Sequence, residues 1–230
     1  MKMHRYNGPK GGFEFNAGFL GLKHWWVFAF MLLIGQSLLA QEVNVSNAVI
    51  NVPAGVFMTT DGGVVIQNSG AMDNGGTVEI KGNWTNDGNG LINNSAGTVV
   101  LAGANETIGG SNPTTFNNLT LTGSGVKTLA VNATVTSTLA LNDRELFTGV
   151  NTVFVMNPST GAVTWSTGFI SSAPGGSLSR VMAASSTYVY PVGAVGKFRP
   201  VEITPSVATS QTYSVRMANV DANTEGFPRS

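Results

Sequence analysis

Short stretches in which apolar and polar residues alternate dominate the chain after residue 40. In Thr77–Lys81, for example, Val78 and Ile80 are flanked by polar residues. A period of two places one face of a strand against a core and the other in water. No stretch after residue 40 keeps the 3.6-residue apolar period of a helix, so the pattern predicts an almost entirely β protein. In the first half, the predicted strands are Ala48–Val52, Val64–Gln67, Thr77–Lys81, Thr98–Ala102, Asn118–Thr122, Thr128–Val131, Thr134–Leu141 and Thr152–Met156.

Clusters of Gly, Asn and Asp separate the predicted strands. Gly and Asn tolerate a positive φ, which tight turns require. The clusters therefore predict turns at Asp61–Gly63, Asp73–Gly76, Asn86–Gly88 and Gly123–Gly125.

A weak internal repeat relates two of the strands. Gly76–Ile80 (Gly-Thr-Val-Glu-Ile) recurs 21 residues later as Gly97–Leu101 (Gly-Thr-Val-Val-Leu), and Gly63–Ile66 is a looser copy. A repeat of about 20 residues with one or two strands favours a right-handed parallel β-helix, or solenoid, whose stacked coils share one core. Asn side chains would then form hydrogen-bonded ladders at its corners. The alternative is an antiparallel sandwich with hairpin turns.

The composition of the chain changes near residues 157 and 158. Residues 41–157 contain 18 Asn and two Pro, whereas residues 158–230 contain two Asn and six Pro. We therefore predict a β-solenoid repeat region over 41–157 and a small antiparallel β-sandwich-like module over 158–230. The predicted strands of that module are Ala162–Trp165, Leu178–Met182, Thr187–Tyr190, Arg199–Thr204 and Thr212–Met217.

The first 40 residues have the pattern of a secretory leader. The apolar run Trp25–Ile34 follows Lys23 and precedes the small residue Ala40. This order predicts a signal peptide over residues 1–40, with a signal helix and cleavage between Ala40 and Gln41. The run is shorter than the roughly 20 apolar residues of a membrane-spanning helix. We therefore expect a mature chain without a transmembrane anchor that is secreted and lies outside the cell or on its surface.

The mature chain has few groups that can carry chemistry. After residue 40 it has eight basic and eleven acidic residues without a basic cluster, which argues against binding to nucleic acid. The two histidines, His4 and His24, both precede residue 40, and the chain has no Cys. Catalysis by imidazole or thiol, zinc or haem iron bound by His or Cys, and disulfides are therefore excluded. We expect no enzymatic activity, no cofactor and no metal site.

Two motifs that could suggest bound ions are better explained as turns. Asp61, Asp73 and Asp87 lack the spacing of a calcium-binding loop, and their side chains are expected to cap their own turns. Gly193–Phe198 contains Gly-Lys but lacks the earlier Gly and the following Ser or Thr of a phosphate-binding loop. It predicts a hairpin loop.

Asp143 and Glu145, on either side of Arg144, are the best candidates for paired carboxylates. Residues two apart on a strand point the same way, so these two could act as an acid and a base. A solvated turn between two strands is the other interpretation. A β-helix polysaccharide lyase or hydrolase is accordingly the less favoured alternative, because the charged residues are too scattered to form a groove.

Four aromatic residues are candidates for stacking on sugar rings. Tyr188 and Tyr190 share one face of a predicted strand, and an exposed face would make residues 158–230 a carbohydrate-binding module. Packing in the core is the alternative, because aromatic side chains bury a large area. The four candidates are Trp84, Trp165, Tyr188 and Tyr190.

Both halves resemble secreted or surface proteins of the Bacteroidetes that contain Asn/Gly-rich β-repeats. In the first half, the Gly-Thr-Val strand openings and Phe116–Leu121 (Phe-Asn-Asn-Leu-Thr-Leu) carry the resemblance. In the second, Gly176–Arg180 resembles Gly-x-Leu-x-Arg, Tyr188–Gly193 resembles Tyr-x-Phe-Pro-Val-Gly, and Phe198–Val201 resembles Tyr-Arg-Pro-Val. The resemblance covers about residues 60–217.

The resemblance implies export across the outer membrane and an adhesin-like role at the surface or in the extracellular matrix. We therefore expect a non-enzymatic structural or adhesion segment. Its expected partners are a surface polysaccharide or another extracellular surface, and the secretion machinery. Proteins of this kind usually end in a sorting domain read by the type IX secretion system. The sequence stops at Ser230 without one, so we expect it to be part of a longer protein.

Overall fold

The computed structural model describes residues 41–93, 96–194 and 196–219. The predicted signal peptide lies outside these residues, so cleavage between Ala40 and Gln41 stays a prediction. The described residues form β-strands connected by turns, with one short 3-10 helix at Thr160–Ala162. This confirms the all-β prediction.

Three parallel sheets form the sides of a solenoid. The chain visits them in turn, and paired residues are 19 to 25 positions apart, as Val126↔Glu145 and Thr152↔Ser177 illustrate. Each coil therefore adds one strand to each sheet it visits, which confirms the parallel solenoid and rules out the antiparallel sandwich for this region. The first sheet contains β1 (Val43–Ser46), β4 (Val64–Gln67), β7 (Trp84–Asp87), β10 (Thr107–Gly109), β12 (Val126–Leu129), β14 (Glu145–Phe147) and β17 (Phe169–Ser171), in that order.

The second sheet is the longest, and the third is present only in the first coils. Eight strands of the second sheet follow the order β3 (Phe57–Thr60), β6 (Thr77–Ile80), β9 (Thr98–Leu101), β11 (Thr114–Leu121), β13 (Ala133–Ala140), β15 (Thr152–Val155), β18 (Ser177–Met182) and β23 (Gln211–Val215). A short strand, β16 (Val163–Thr164), also pairs with β13. The third sheet consists of β2 (Val49–Val52), β5 (Ala71–Asn74) and β8 (Leu91–Ile92).

The internal repeat corresponds to neighbouring rungs of the second sheet. β6 and β9 pair residue by residue, from Thr77↔Thr98 to Ile80↔Leu101. The looser copy, Gly63–Ile66, is not equivalent to them, because Val64–Ile66 belong to β4 in the first sheet. The 21 residues between Gly76 and Gly97 are therefore the length of one coil. The 13 residues between Gly63 and Gly76 instead separate strands on two sides of the solenoid.

The core is a column of apolar side chains enclosed by the sheets. In β6 the inward residues Val78 and Ile80 are fully buried, as the period of two predicts. Two large buried rings, those of Trp84 and Phe116, meet edge to face with centroids 5.5 Å apart. The indole Nε1 of Trp84 donates to Thr114 Oγ1 at 3.0 Å, so the buried polar atom is satisfied.

Asn residues connect successive coils at the corners. Asn74 is fully buried at the end of β5, where its Oδ1 accepts from Gly76 N and its Nδ2 donates to Thr98 O on the next coil. Asn86 repeats this arrangement at the end of β7, with Gly88 N as donor and Pro113 O as acceptor. The predicted turns at Asp73–Gly76 and Asn86–Gly88 therefore begin later than expected, because their first two residues are still paired in strands.

The C-terminal part begins as a continuation of the solenoid and then becomes antiparallel. β15 pairs with β18 in parallel, so strand pairing crosses the composition change at residues 157 and 158. The division into separate segments at that point stays a prediction. Antiparallel pairing joins β18 to β23, β19 (Tyr188–Tyr190) to β22 (Val201–Ile203), and β20 (Gly193–Ala194) to β21 (Lys197–Phe198).

Candidate functional site

A groove of about 300 Å³ lies against the outer face of the first sheet, at the C-terminal end of the solenoid. Its floor contains Glu145 and Phe147 of β14 and Ser171 of β17, and Phe147 pairs with Ser171 in the register. Phe147 is 37% exposed, because it lies on the outer face of β14. The floor therefore combines an accessible aromatic ring with hydrogen-bonding groups.

Glu145 is held in a fixed position on this floor. Its Oε1 accepts from Ser171 Oγ at 2.5 Å, and both residues lie on adjacent rungs of the sheet. One carboxylate oxygen is thus oriented by the neighbouring strand, while the side chain stays half-buried at the groove.

The first wall is the hairpin β20–β21, which lies across the end of the first sheet. Val192, just before it, forms a parallel bridge with Ile170 of β17. Gly193 then lies directly over the ring of Phe169, where a Cβ would be 2.5 Å from Phe169 Cδ2. This close approach requires Gly at position 193. The antiparallel pairing of Gly193 with Phe198 confirms the predicted hairpin loop in Gly193–Phe198.

The second wall follows β23 and brings in positive charge. Arg216 and Asn219 line the groove, which continues into a recess of about 170 Å³ lined by Lys197 and Arg199. The two cavities share Ala194 and the segment 217–219 as lining residues, so they adjoin each other. Within the described lining residues, Glu145 is the one acidic group, against three basic ones.

The aromatic residues predicted to stack on sugars lie elsewhere. Trp84, Tyr188 and Tyr190 have no exposed surface, so in this fold they pack in the core and cannot contact a ligand. Trp165 is half-buried against the core and does not line the groove. Packing in the core, the alternative that the sequence left open, therefore describes Trp84, Tyr188 and Tyr190.

Tyr188 and Tyr190 instead enclose the guanidinium of Arg180, which is fully buried. The Arg180 Cζ lies 5.1 Å and 5.7 Å from the centroids of their two rings. The guanidinium also donates to the carbonyls of Val189, Ser159 and Thr160. The Gly-x-Leu-x-Arg and Tyr-Pro-Val-Gly motifs are thus packed together, and they close the end of the apolar column.

Burial controls the ionisation of this cluster. Desolvation lowers the pKa of Arg180 from its usual value, and the neighbouring Tyr190 and Tyr188 oppose the change. Desolvation raises the pKa of Tyr190 to about 12, against the attraction of Arg180. The hydroxyl of Tyr190 donates to Tyr213 O at 2.9 Å, which is consistent with a neutral phenol.

The carboxylates that the sequence singled out have separate partners. Asp143 pairs with the adjacent Arg144, which lowers the pKa of Asp143, whereas Glu145 faces Ser171. Asp61 pairs with Lys81 at 2.6 Å. Asp73 and Asp87 lie in strands β5 and β7, where they accept from Asn93 and Ser111 on the following coil. Among the described residues, no group of three acidic side chains is close enough to hold a metal ion.

The outer face of the second sheet carries rows of polar side chains. Thr77, Thr98, Asn118 and Thr138 are consecutive register partners on β6, β9, β11 and β13. Each is half-buried, so the row is accessible from solvent. Stacking of the coils therefore presents similar hydrogen-bonding groups at each rung, about 4.8 Å apart.

Sequence reasoning missed Phe147, Lys197, Arg199 and Arg216 as members of one site. A local signal existed for Phe147, because Leu146 is the apolar, buried residue of β14 and its neighbours must face outward. No local signal connects β14 with the β20–β21 hairpin, which is about 50 residues later in the sequence.

In the described part of the chain, no helix has the length and apolar character required to cross a membrane. Comparisons with known proteins give no match for this chain, whether to a family model, to a curated protein or to a solved structure.

Proposed function

We propose that this protein is a non-enzymatic structural or adhesion segment that acts outside the cell or at its surface. The observation that supports this most directly is the stacking of coils into long sheets, with a row of polar side chains, Thr77, Thr98, Asn118 and Thr138, on the outer face of the second sheet. A solenoid gains length by adding coils, and each coil is stabilised by its neighbours. Such a scaffold can therefore be long without a separate core for each coil. It displays many similar groups, so that individually weak contacts with a partner add by multivalency.

The side chains that connect the coils support a rigid scaffold. Asn142 Nδ2 donates to Leu121 O at 2.8 Å, and Asn151 Nδ2 donates to Leu129 O at 3.0 Å. Together with Asn74 and Asn86, they hold coils in register through bonds between positions 20 or more residues apart. A scaffold with fixed rung positions can present its outer groups at constant spacing.

The proposed location rests on the leader sequence and on the resemblance to secreted Bacteroidetes proteins. Export would be carried out by the secretion machinery, and the partner would be a surface polysaccharide or another extracellular surface. An exported scaffold without imidazole or thiol groups is suited to mechanical work in an oxidising, proteolytic medium, because it depends on no reduced Cys.

Deletion of the gene in the organism that carries it tests this proposal. We expect reduced attachment to abiotic and polysaccharide-coated surfaces, restored by the wild-type gene, and recovery of the protein in the surface or extracellular fraction. Unchanged attachment of the deletion strain on all surfaces would refute the adhesion role. Release of new reducing ends from a polysaccharide panel by the purified chain would refute the non-enzymatic role.

The groove supports a second candidate function, carbohydrate binding. An aromatic ring, hydroxyls, a carboxylate and cations converging on one concavity are typical of a small-molecule site. Because Glu145 and Phe147 precede residue 158, the site needs both parts of the chain. The carbohydrate-binding function would then belong to the end of the solenoid and not to residues 158–230 alone.

A further inference from the structure

We propose that the groove binds anionic sugar residues of a polysaccharide, with a sugar ring on Phe147 and its carboxylate or sulfate group near Lys197 and Arg199. The proposal deepens the carbohydrate-binding function and rests on it. The recognised chemistry is a pyranose ring that carries a negative charge.

The distribution of basic residues is the first argument. The described residues include seven basic ones, and three of them, Lys197, Arg199 and Arg216, line the groove or its recess. In a mature chain with more acidic than basic residues, this concentration creates a local positive potential that would attract an anion.

The position of these cations is the second argument. Lys197 and Arg199 have exposed side chains at the recess. Arg199 Nη1 donates to Phe198 O at 3.1 Å, which holds one terminal nitrogen of its guanidinium against the hairpin. The other donors of that guanidinium can reach a carboxylate or sulfate, whose oxygens match its planar geometry.

The third argument is the environment of Phe147. A Phe ring on the outer face of a sheet leaves apolar area in water, which is unfavourable unless something covers it. Its register neighbours are Thr128 on one side and Ser171 on the other. The ring is therefore bordered by hydroxyl groups and by Glu145, and these can bond the equatorial hydroxyls of a sugar that lies on the ring.

The dimensions fit a short segment of polysaccharide. The groove of about 300 Å³ is at the lower end of the range for small-ligand sites, and the recess adds about 170 Å³. One sugar on Phe147 and an adjoining charged group at the recess would occupy the two neighbouring cavities.

Binding of defined polysaccharides to the purified chain tests the proposal. The probes are polygalacturonate, which carries carboxylates, dextran sulfate, which carries sulfates, and dextran, which is neutral. We expect binding to at least one anionic polymer, little binding to dextran, and weakening as the salt concentration increases. Equal binding to all three polymers, or to none, would overturn the proposal.

Two variants test whether the groove is the site. We expect Phe147→Ser and the double variant Lys197→Gln/Arg199→Gln each to weaken binding about tenfold or more, since each removes one of the two proposed contacts. The matched controls are Phe57→Ser, an exposed Phe of the first coil, and Lys81→Gln, an exposed Lys of the solenoid. A loss of affinity in the controls equal to that in the groove variants would place binding outside the groove and overturn the proposal.

Thermal unfolding of each variant shows whether it is folded. All four variants change only exposed or partly exposed positions, so we expect each Tm to stay within a few degrees of wild type. The outcome is also independent of the adhesion role. Loss of attachment in the deletion strain without anionic binding in vitro would refute this inference alone. Binding in vitro with unchanged attachment would refute the adhesion role alone.

Discussion

Lys127 donates from Nζ to Oε2 of Glu106 across 2.5 Å, and neither side chain reaches solvent. Lys127 also donates to the carbonyls of Gly103 and Ala104, so its ammonium ties the loop before β10 to the start of β12. Glu106 Oε1 is buried without a hydrogen-bond partner among the described residues. Burial raises the pKa of Glu106, and Lys127 opposes the change. A charge pair thus occupies a buried place between two coils.

Removal of one member of this pair should be more harmful than removal of both. Lys127→Met leaves the carboxylate of Glu106 buried without its counter-charge, and we expect it to lower the free energy of unfolding by about 3–5 kcal/mol. The double variant Lys127→Met/Glu106→Leu removes both charges and should lie much closer to wild type. Urea unfolding of the three proteins measures the difference.

The exposed pair of Lys81 and Asp61 provides the control for that series. Its two side chains are 49% and 77% exposed, so Lys81→Met should change the free energy of unfolding by less than about 1 kcal/mol. If Lys127→Met were as mild as Lys81→Met, the buried pair would not hold the coils together.

Arg180 should be irreplaceable by Lys. The planar guanidinium contacts the rings of Tyr188 and Tyr190 and bonds three carbonyl groups, whereas an ammonium cannot lie flat between two rings. We expect Arg180→Lys to destabilise the fold by about 2–4 kcal/mol, measured by denaturant unfolding. Arg199→Lys, at an exposed position, is the control and should change stability by less than about 0.5 kcal/mol. Equal stability of both variants would show that Arg180 does not fasten the end of the solenoid.

Tyr190 should make the fold sensitive to alkaline pH. Its pKa is about 12 in the folded protein, against about 10 in an unfolded chain. The raised pKa contributes stability that is fully present below pH 10 and is lost as the pH rises to about 12, since the unfolded chain releases the proton first. The contribution is about 2–3 kcal/mol.

The variant Tyr190→Phe isolates this contribution from the other groups that titrate in the same range. It loses the hydrogen bond to Tyr213 O, so we expect it to be less stable than wild type at pH 8. The difference between the two proteins should shrink between pH 10 and 12 in urea unfolding. A constant difference over that range would mean that Tyr190 ionises as easily in the folded protein as in the unfolded chain.

The register of the solenoid could be predicted from sequence because it depends on local patterns. The period of two in β6 and β9, together with their 21-residue spacing, identified two rungs that pair residue by residue. Strands that end in Asn or Asp were harder to recognise. The backbones of Asn74 and Asn86 pair with the neighbouring coil, and that coil also supplies a carbonyl for each amide, whereas propensity alone assigns such residues to turns.

The groove could not be predicted for a different reason. It depends on the placement of the β20–β21 hairpin over β17, which is fixed by the contact of Gly193 with Phe169. Neither residue carries a chemical signal in the sequence. Tyr188 and Tyr190 were the more obvious candidates for stacking on a ligand. In the structure the faces of their rings instead contact the buried guanidinium of Arg180.

The two buried Asn residues should contribute more to stability than Asn residues on the solenoid surface. Asn74 and Asn86 each accept from the backbone N–H two positions later and donate to a carbonyl on the next coil. Substitution by Ala removes both bonds of the amide from the protein interior. Gly76 N keeps a second bond to Val52 O at 2.9 Å after Asn74→Ala, but the bond to the next coil is lost in both variants, so each of Asn74→Ala and Asn86→Ala should cost about 1–3 kcal/mol of unfolding free energy. Asn89 also donates to the previous coil, at Ser69 O, but it is exposed, and water can replace its bond. Asn89→Ala should therefore cost less than about 0.5 kcal/mol, and equal losses in all three variants would mean that the corner bonds act only as surface contacts.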